Sequence, residues 1–399
     1  MLPKRHTLRE LFFNHVGQTS PSPLGLEIQR AEGIFLYTPS GERIIDLVSG
    51  VSVSNVGHSN QEIVDAVCKQ ASDYMHLMVY GELVQPPQVL HAKLLADNLP
   101  GELKSVYYVN SGSEANEVAL KLAKRATGRV EMISCKNSYH GSTHGVLSIM
   151  GSEFFKSSFR PLLPGVSHID FNNEEQLSTI TERTACVIVE PVQAEAGVII
   201  PQNNYLSKLR ARCTETGTLL IFDEIQTGFG RTGSLFAMNK YGVVPDIVTF
   251  AKALGGGMPL GAVVASPELM KCFTFNPVLG HITTFGGHPV SCAAALAALK
   301  ILLRESWIED VEAKAKVFID AISNHPKVAE IRHSGLLIAV DLGKEEYASR
   351  ILQLLLNEGI MSDWFLFNPT SFRIAPPLCI TKEEAIDASE KILNALNKL

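Results

Sequence analysis

The chain has 399 residues, of which 46% are hydrophobic and 19% are charged, and its formal net charge is −6. This composition is typical of a globular protein large enough for two domains, and the acidic balance argues against nucleic acid or an anionic membrane as a partner. The scattered cysteines form no C-x-x-C pair and the first residues lack the apolar core of a signal peptide, so we expect a cytoplasmic protein with reduced thiols.

The order of predicted elements indicates an α/β protein. An irregular arm to about residue 25 precedes two strands within 33–46, joined by a turn at 39–41. Alternating helices and strands predict a mainly parallel sheet covered on both faces. A long helix from residue 290 opens a second α/β region, so we place a domain boundary near 290. The predicted helices are 61–73, 86–98, 113–127, 204–216, 290–305 and 382–399, and the strands are 105–109, 130–134, 185–189, 218–222, 247–250 and 261–265.

Glu190, Asp223 and Lys252 each lie at or just after the end of a predicted strand. Ligands of parallel α/β sheets bind beyond the carboxyl ends of the strands, so we expect these side chains to meet at one place. Pyridoxal phosphate requires an amine for its Schiff base and a carboxylate beside its ring nitrogen. Lys252 and Asp223 meet both requirements, and the sequence therefore predicts a pyridoxal phosphate site.

The segment 110–117, Asn-Ser-Gly-Ser-Glu-Ala-Asn-Glu, follows one strand and opens a helix. Ser111 and Glu114 fit a capping box, while Gly112 permits close approach of a ligand to the backbone. The free N–H groups at such a helix end attract phosphate. An ordinary helix cap is the alternative for this motif taken alone.

Several other side chains have both a functional and a structural interpretation. Tyr139 could stack on a pyridine ring or belong to the core, and His140 could be a structural histidine. Gln226 could reach the phenolic oxygen of the cofactor or stabilise a turn. Thr284, in a loop of hydroxyls and glycines, could donate to a phosphate or only turn the chain.

Arg373 lies in a short apolar strand, where a guanidinium needs a partner. A substrate carboxylate would suit its bidentate geometry, and so would Glu195. A permanent structural ion pair remains the alternative.

Five segments together resemble the class III aminotransferases, the ω-aminotransferases of fold type I. The segments are 110–117, 190–197, 223–233, 250–261 and 373–378. The resemblance extends in order from about residue 33 to the end, and acetylornithine and ornithine aminotransferases look closest. It implies an arm at 1–55 packed with the small domain, a large domain at 56–290 with a seven-stranded sheet, and a small C-terminal α/β domain at 291–399.

The resemblance also implies roles for individual residues. Lys252 would carry the cofactor and shuttle protons, and Asp223 would pair with the ring nitrogen. The gate of the family would be Glu195 and Arg373: paired for an amine donor, separated when the arginine takes a carboxylate of an oxo acid. The remaining cofactor contacts would be Ser111, Gly112 and Ser113 at the phosphate, Thr284 from the partner of a homodimer, and Tyr139, His140, Glu190 and Gln226 around the ring.

Two positions depart from the ornithine-type pattern. Ser142 stands where those enzymes have an arginine that binds the donor's carboxylate, and Ser20 stands at a tyrosine position. We therefore expect an ω-amino acid or amine as donor and 2-oxoglutarate as acceptor, in a ping-pong reaction through pyridoxamine phosphate. A 4-aminobutyrate or other ω-amine aminotransferase is one alternative. Others are a racemase, mutase or decarboxylase of the same fold, and a non-catalytic cofactor-binding protein.

Overall fold

The computed structural model describes residues 7–399, and a seven-stranded mixed sheet forms its centre. In spatial order the strands of this sheet are β4 (Ser105–Val109), β10 (Gly261–Ala265), β9 (Ile247–Phe250), β8 (Leu219–Asp223), β7 (Thr184–Val189), β5 (Glu131–Cys135) and β6 (Val166–Ile169). β10 is antiparallel to both of its neighbours, whereas the pairs among β5 to β9 are parallel. The predicted mainly parallel α/β sheet is confirmed.

Two smaller sheets surround the central one. The first consists of β1 (Arg30–Glu32), β2 (Phe35–Tyr37), β3 (Arg43–Asp46) and β13 (Ile360–Met361). Since β13 pairs with β3, the N-terminal strands are tied to the C-terminal part of the chain. The second consists of β11 (Glu330–His333), β12 (Ile338–Asp341), β15 (Asn368–Ile374) and β14 (Trp364–Phe365).

Helices cover the central sheet on both faces and form most of the C-terminal region. They are α1 (Leu8–His15), α2 (Ser49–Ser52), α3 (Gln61–Asp73), α4 (Pro86–Asp97), α5 (Gly112–Thr127), α6 (His144–Ile149), α7 (Glu153–Lys156), α8 (Tyr205–Thr216), α9 (Ala237–Tyr241), α10 (Pro267–Met270), α11 (Pro289–Arg304), α12 (Trp307–Ile322), α13 (Glu345–Asn357) and α14 (Lys382–Asn397). All four residues of α2 have positive φ, so this short element is a left-handed turn.

The inner strands of the central sheet are buried along their whole length. Every residue of β7, β9 and β10 is buried, and these strands show no alternation of polar and apolar residues. Strands enclosed by helices on both faces have this pattern, because neither face meets water.

The arm contains a helix that the sequence did not lead us to expect. α1 begins with a capping box in which Thr7 accepts from the Glu10 N–H and Glu10 accepts from the Thr7 N–H. The prediction of an irregular segment up to residue 25 was therefore wrong for this part, while residues 1–6 of the arm lie outside the described residues.

Across residues 7–399, no helix combines the length and the apolar composition that a membrane crossing requires.

Candidate active site

A cavity of about 760 Å³ lies where the parallel strands end. Its volume is within the range of small-molecule sites. Most of the predicted site residues line it, namely Ser111, Gly112, Ser113, Tyr139, His140, Ser142, Glu190, Asp223, Gln226 and Lys252. Glu195 and Arg373 form their own buried contact beside this cavity, and Thr284 is exposed and does not line it.

The start of α5 offers an anion cradle to the cavity. The N-cap Ser111 accepts from the Glu114 N–H, while no hydrogen bond within the described chain engages the N–H groups of Gly112 and Ser113. Glu114 accepts from the Asn110 N–H at 2.6 Å, so it reaches one residue beyond the position that the predicted capping box requires. Two unpartnered N–H groups at a helix N-terminus can hold a phosphate.

Asp223 is held rigidly at the end of β8. Its Oδ1 accepts from the Ile225 N–H at 3.0 Å, and its Oδ2 lies 2.8 Å from both Asn116 Nδ2 and His140 Nδ1. Thr249 Oγ1 in turn donates to Asn116 Oδ1 at 2.8 Å. Sequence reasoning missed Asn116 and Thr249. The signal for Asn116 was a polar side chain on the otherwise apolar buried face of α5.

Lys252 begins the short 3-10 helix Lys252–Gly255 directly after β9, with a φ of 48°. A non-glycine residue in this left-handed region is strained, and such strain concentrates at functional sites. Lys252 Nζ donates to Gln226 Oε1 at 2.8 Å, which leaves Gln226 Nε2 buried without a partner. Burial lowers the pKa of the Lys252 amine, and this favours the neutral, nucleophilic form.

Glu190 joins two walls of the cavity. Its Oε1 accepts from the Tyr139 N–H at 3.1 Å and its Oε2 accepts from the Ala194 N–H at 3.0 Å. Burial raises the pKa of the Glu190 carboxyl to about 7. The segment that carries Tyr139 and the loop that carries Glu195 are therefore fastened to the same side chain.

The structure brings the predicted pair together. Arg373 Nη2 donates to Glu195 Oε1 at 2.8 Å, and the arginine side chain is 1% exposed. Burial acts to raise the pKa of Glu195, but Arg373, Lys252 and the Leu366 N–H together outweigh it, so that the pKa lies below its ordinary value. A second acid, Asp363, lies 2.8 Å from Arg373 Nε and was not predicted. A β14–β15 hairpin would have indicated it, because Asp363 is the cross-strand neighbour of Arg373.

The wall around Ser142 carries no positive charge. Ser142 Oγ lies 3.2 Å from Tyr139 OH, and its backbone N–H donates to Ser113 Oγ. Within the described chain, Lys252 is the one lysine or arginine that lines the cavity.

These groups fit pyridoxal phosphate. The N–H groups of Gly112 and Ser113 suit its phosphate, the Asp223 carboxylate suits a protonated ring nitrogen, and Gln226 Nε2 is a free donor for the phenolic oxygen. A side chain at Gly112 would disturb this wall of the cavity, because a Cβ atom there would lie 2.8 Å from Ile225 Cδ1.

Comparison with known proteins agrees with this chemistry. Residues 16–396 match the family model of aminotransferase class-III. Putrescine aminotransferase of Pectobacterium atrosepticum is 39% identical over 381 residues, which cover 91% of this chain and 81% of that protein. The ornithine aminotransferase of Toxoplasma gondii, which holds pyridoxal phosphate at its active site, superposes with a TM-score of 0.89 and 29% identity, covering 97% of this chain and 92% of that chain. An (S)-enantioselective ω-transaminase of Thermomicrobium roseum superposes with a TM-score of 0.89, 30% identity and 97% coverage of both chains. The chain belongs to the class III aminotransferases, whose cofactor is pyridoxal phosphate.

Proposed function

We propose that the donor is an amine without a carboxylate, of the α,ω-diamine class that includes putrescine, and that the acceptor is a 2-oxo acid such as 2-oxoglutarate. The carrying observation is the lack of a lysine or arginine, other than Lys252, in the cavity lining of the described chain. Ser142 stands at the position where an ornithine-type enzyme would use an arginine. The 39% identity to a putrescine aminotransferase supports the same donor class.

An ω-amino acid donor such as ornithine is the second candidate. The structural likeness to an ornithine aminotransferase favours it. Its carboxylate would have to be bound by hydroxyl groups such as those of Ser142 and Thr143, which line the cavity. Losing a charged hydrogen bond costs about 1.5–3 kcal/mol, so such a donor would bind about tenfold to a hundredfold more weakly than with an arginine.

Different residues of the cavity bind different parts of the cofactor. Gly112 and Ser113 hold the phosphate through backbone N–H groups, aided by the positive end of α5. Asp223 keeps a proton on the ring nitrogen, while Asn116 and His140 hold its carboxylate in place. Pyridoxal phosphate, once bound, supplies a cationic ring that takes up the electron pair released when a proton leaves the donor's carbon.

Lys252 serves as the proton carrier. Its Nζ, whose pKa burial lowers, accepts the proton from the carbon beside the donor nitrogen. The bond from Nζ to Gln226 Oε1 keeps the amine over the cavity when it is free. The strained φ of Lys252 fixes the start of the side chain in this direction.

The Arg373 and Glu195 pair adapts the site to two unlike substrates. While they are paired at 2.8 Å, the guanidinium is hidden from an uncharged or cationic donor. When the acceptor enters, its carboxylate replaces Glu195 on Arg373. Water supplies the oxygen of the aldehyde that the donor becomes, and the bound cofactor would hold the amino group until the oxo acid takes it and releases that oxygen again as water.

We further propose a homodimer in which Thr284 reaches the phosphate site of the partner. Thr284 is exposed and does not line the cavity of its own chain. Around it lie exposed apolar side chains of two segments that contact each other through the rings of His76 and Phe285, 4.8 Å apart. These side chains are Leu77, Met78, Leu83, Val84, Val278, Leu279, Ile282 and Phe285. A surface of this kind marks a protein interface.

The test is a single-turnover absorbance experiment on the purified holoenzyme, without acceptor. The panel contains putrescine, longer diamines, carboxylate-free monoamines, ornithine, acetylornithine and 4-aminobutyrate. We expect diamines to convert the bound aldehyde form of the cofactor faster than ornithine does. If ornithine-like donors are faster, the donor assignment is wrong; if no amine converts it, transamination itself is refuted.

A Lys252→Ala variant is the matched test of the chemistry. We expect it to bind cofactor without forming the visible absorbance of the lysine-bound form, and to lose turnover. A variant that transaminates at a near-normal rate would contradict the assignment of Lys252. Circular dichroism of the variant controls for folding.

A further inference from the structure

Two carboxylates share the guanidinium of Arg373. Asp363 Oδ1 lies 2.8 Å from Nε as an ion pair, and Glu195 Oε1 lies 2.8 Å from Nη2. Nη1 is buried and has no hydrogen-bond partner within the described chain, and the contact between Nε and Asp363 Oδ1 is an ion pair that lacks hydrogen-bond geometry. Nη2 also donates to the Trp364 carbonyl oxygen at 3.3 Å. Nε and Nη2 form the side-on edge at which carboxylates commonly bind in a bidentate manner. Here the two acids divide that edge between them.

This division leaves Glu195 with a single bond to the arginine. Its second oxygen, Oε2, accepts from the Leu366 N–H at 3.2 Å instead. A carboxylate that displaced Glu195 would find one N–H of Nη2 released, the other remaining on the Trp364 carbonyl oxygen, and Nη1 already free. It could therefore make two bonds where Glu195 makes one.

The two acids are anchored differently. Asp363 is the cross-strand neighbour of Arg373 in the hairpin of β14 and β15, and its carbonyl oxygen accepts from the Arg373 N–H at 2.9 Å. Glu195 lies on a loop outside these strands, but its carbonyl oxygen accepts from the Phe367 N–H at 3.0 Å, so a withdrawal of Glu195 is a rotation of its side chain and not a movement of the loop. Glu195 can withdraw while Asp363 remains, so the buried guanidinium keeps a counter-ion throughout. A buried charge stripped of all partners would be strongly unfavourable.

We propose that Asp363 is a positioning residue for the acceptor: it occupies Arg373 Nε, limits Glu195 to one bond, and reserves Nη1 and Nη2 for the incoming carboxylate. The inference deepens the proposed function, since it assumes that Arg373 binds the acceptor. Without Asp363, Glu195 could close onto Nε and Nη2 together and become harder to displace. The acceptor, already bidentate, would gain nothing in return.

The test compares Asp363→Ala with the wild-type holoenzyme. One extra charged bond for Glu195 corresponds to about a tenfold change in equilibrium. We expect the affinity for 2-oxoglutarate in its half-reaction, and for unreactive glutarate by calorimetry, to fall about tenfold. The rate of conversion by an amine donor should stay within about twofold. The Asp363→Asn variant, whose amide oxygen still fills the space beside Nε, should lose less than the alanine variant.

A matched control is Asp246→Ala. Asp246 also pairs with an arginine, Arg210, at 2.7 Å, and its side chain is 32% exposed against 28% for Asp363. It lies away from Arg373, so we expect its loss to leave glutarate binding unchanged. Equal losses in both variants would indicate a general effect on the fold and overturn the proposal.

The double variant Glu195→Gln with Asp363→Ala separates positioning from simple charge balance. Because the neutral amide introduced by Glu195→Gln cannot form the competing ion pair, removing Asp363 in that background should change glutarate affinity by less than about twofold. A full tenfold loss there would overturn the proposal, as would unchanged or tighter binding in the single variant. If wild-type enzyme converts with amines yet the single variant behaves like wild type, this inference alone fails.

Discussion

Replacing Gly261 by alanine should weaken cofactor binding, because the new methyl group would collide with the cradle at the start of α5. A Cβ atom on Gly261 would lie 2.3 Å from the Ser111 carbonyl oxygen and 2.8 Å from the Ser111 carbonyl carbon. Both atoms are backbone, so no side-chain rotation relieves the contact. The same oxygen accepts the first hydrogen bond of the helix, from the Ala115 N–H at 3.0 Å.

The magnitude follows from the displacement needed. Real Cβ atoms essentially never approach closer than 3.0 Å, so the loop at Ser111 has to move by several tenths of an ångström. Overpacking of this kind costs about 1–3 kcal/mol. If this free-energy cost falls on the cofactor-bound conformation of the loop, the dissociation constant of pyridoxal phosphate rises about fivefold to a hundredfold.

Gly255→Ala is the matched control for this change. Gly255 is also buried and lies near the same site, but its Cβ atom would meet only Leu260, with the Cβ of that residue at 3.5 Å, an ordinary contact. The assay titrates pyridoxal phosphate into each apoenzyme and records thermal unfolding with and without cofactor. Cofactor affinity of Gly261→Ala within twofold of wild type would refute the reasoning, and so would an equal loss in Gly255→Ala.

Three further changes test the buried polar groups. Asp223→Asn should slow conversion by amines about a hundredfold or more, because an amide does not hold the ring proton; a stopped-flow rate within tenfold of wild type would contradict its role. Burial raises the pKa of Glu190 from 4.5 to about 7, so its contribution to the free energy of unfolding is full below pH 4.5 and is lost as the pH rises to 7. Glu190→Gln should therefore flatten the pH dependence of urea unfolding of the apoenzyme between these values, and parallel curves would argue against it. Arg231→Met should lower the free energy of unfolding by about 3 kcal/mol, since three buried oxygens, including Asn55 Oδ1, lose their donor; a urea-unfolding loss below about 1 kcal/mol would contradict this.

Strands were predictable where both faces are buried, because such strands have a continuous run of apolar residues in the sequence. β4, β9 and β10 have the predicted bounds, and β5 is shifted by one residue. β6 was missed because it pairs only with β5 at the sheet edge and alternates in exposure, with Ser167 exposed and His168 half-buried. The helix α1 was missed because it buries no residue, so its sequence carries no strong apolar stripe.

Site residues were predictable when a strand end carried them. Lys252 and Asp223 follow apolar strands directly, and parallel strands bring their ends to one edge. Asn116 and Asp363 could not be found in this way, because each acts through a partner that only the tertiary fold supplies. Asn116 reaches Asp223 from a helix that lies far away in sequence, and Asp363 meets Arg373 through the register of a hairpin.

Under the proposed function, the distribution of charge lets one site serve two unlike substrates. Asp223 and Lys252 line the cavity, where the proposed roles are to hold the proton of the ring nitrogen and to move the proton of the carbon beside the donor nitrogen. Beside this cavity, Arg373 is buried and paired with Glu195 and Asp363, so its positive charge is hidden from a cationic or neutral donor. An acceptor carboxylate that binds Arg373 would have to displace only Glu195, since Asp363 contacts Nε and not the end of the guanidinium. Under this proposal, discrimination between the substrates depends on the free energy needed to separate Glu195 from Arg373, and Asp363 sets that free energy.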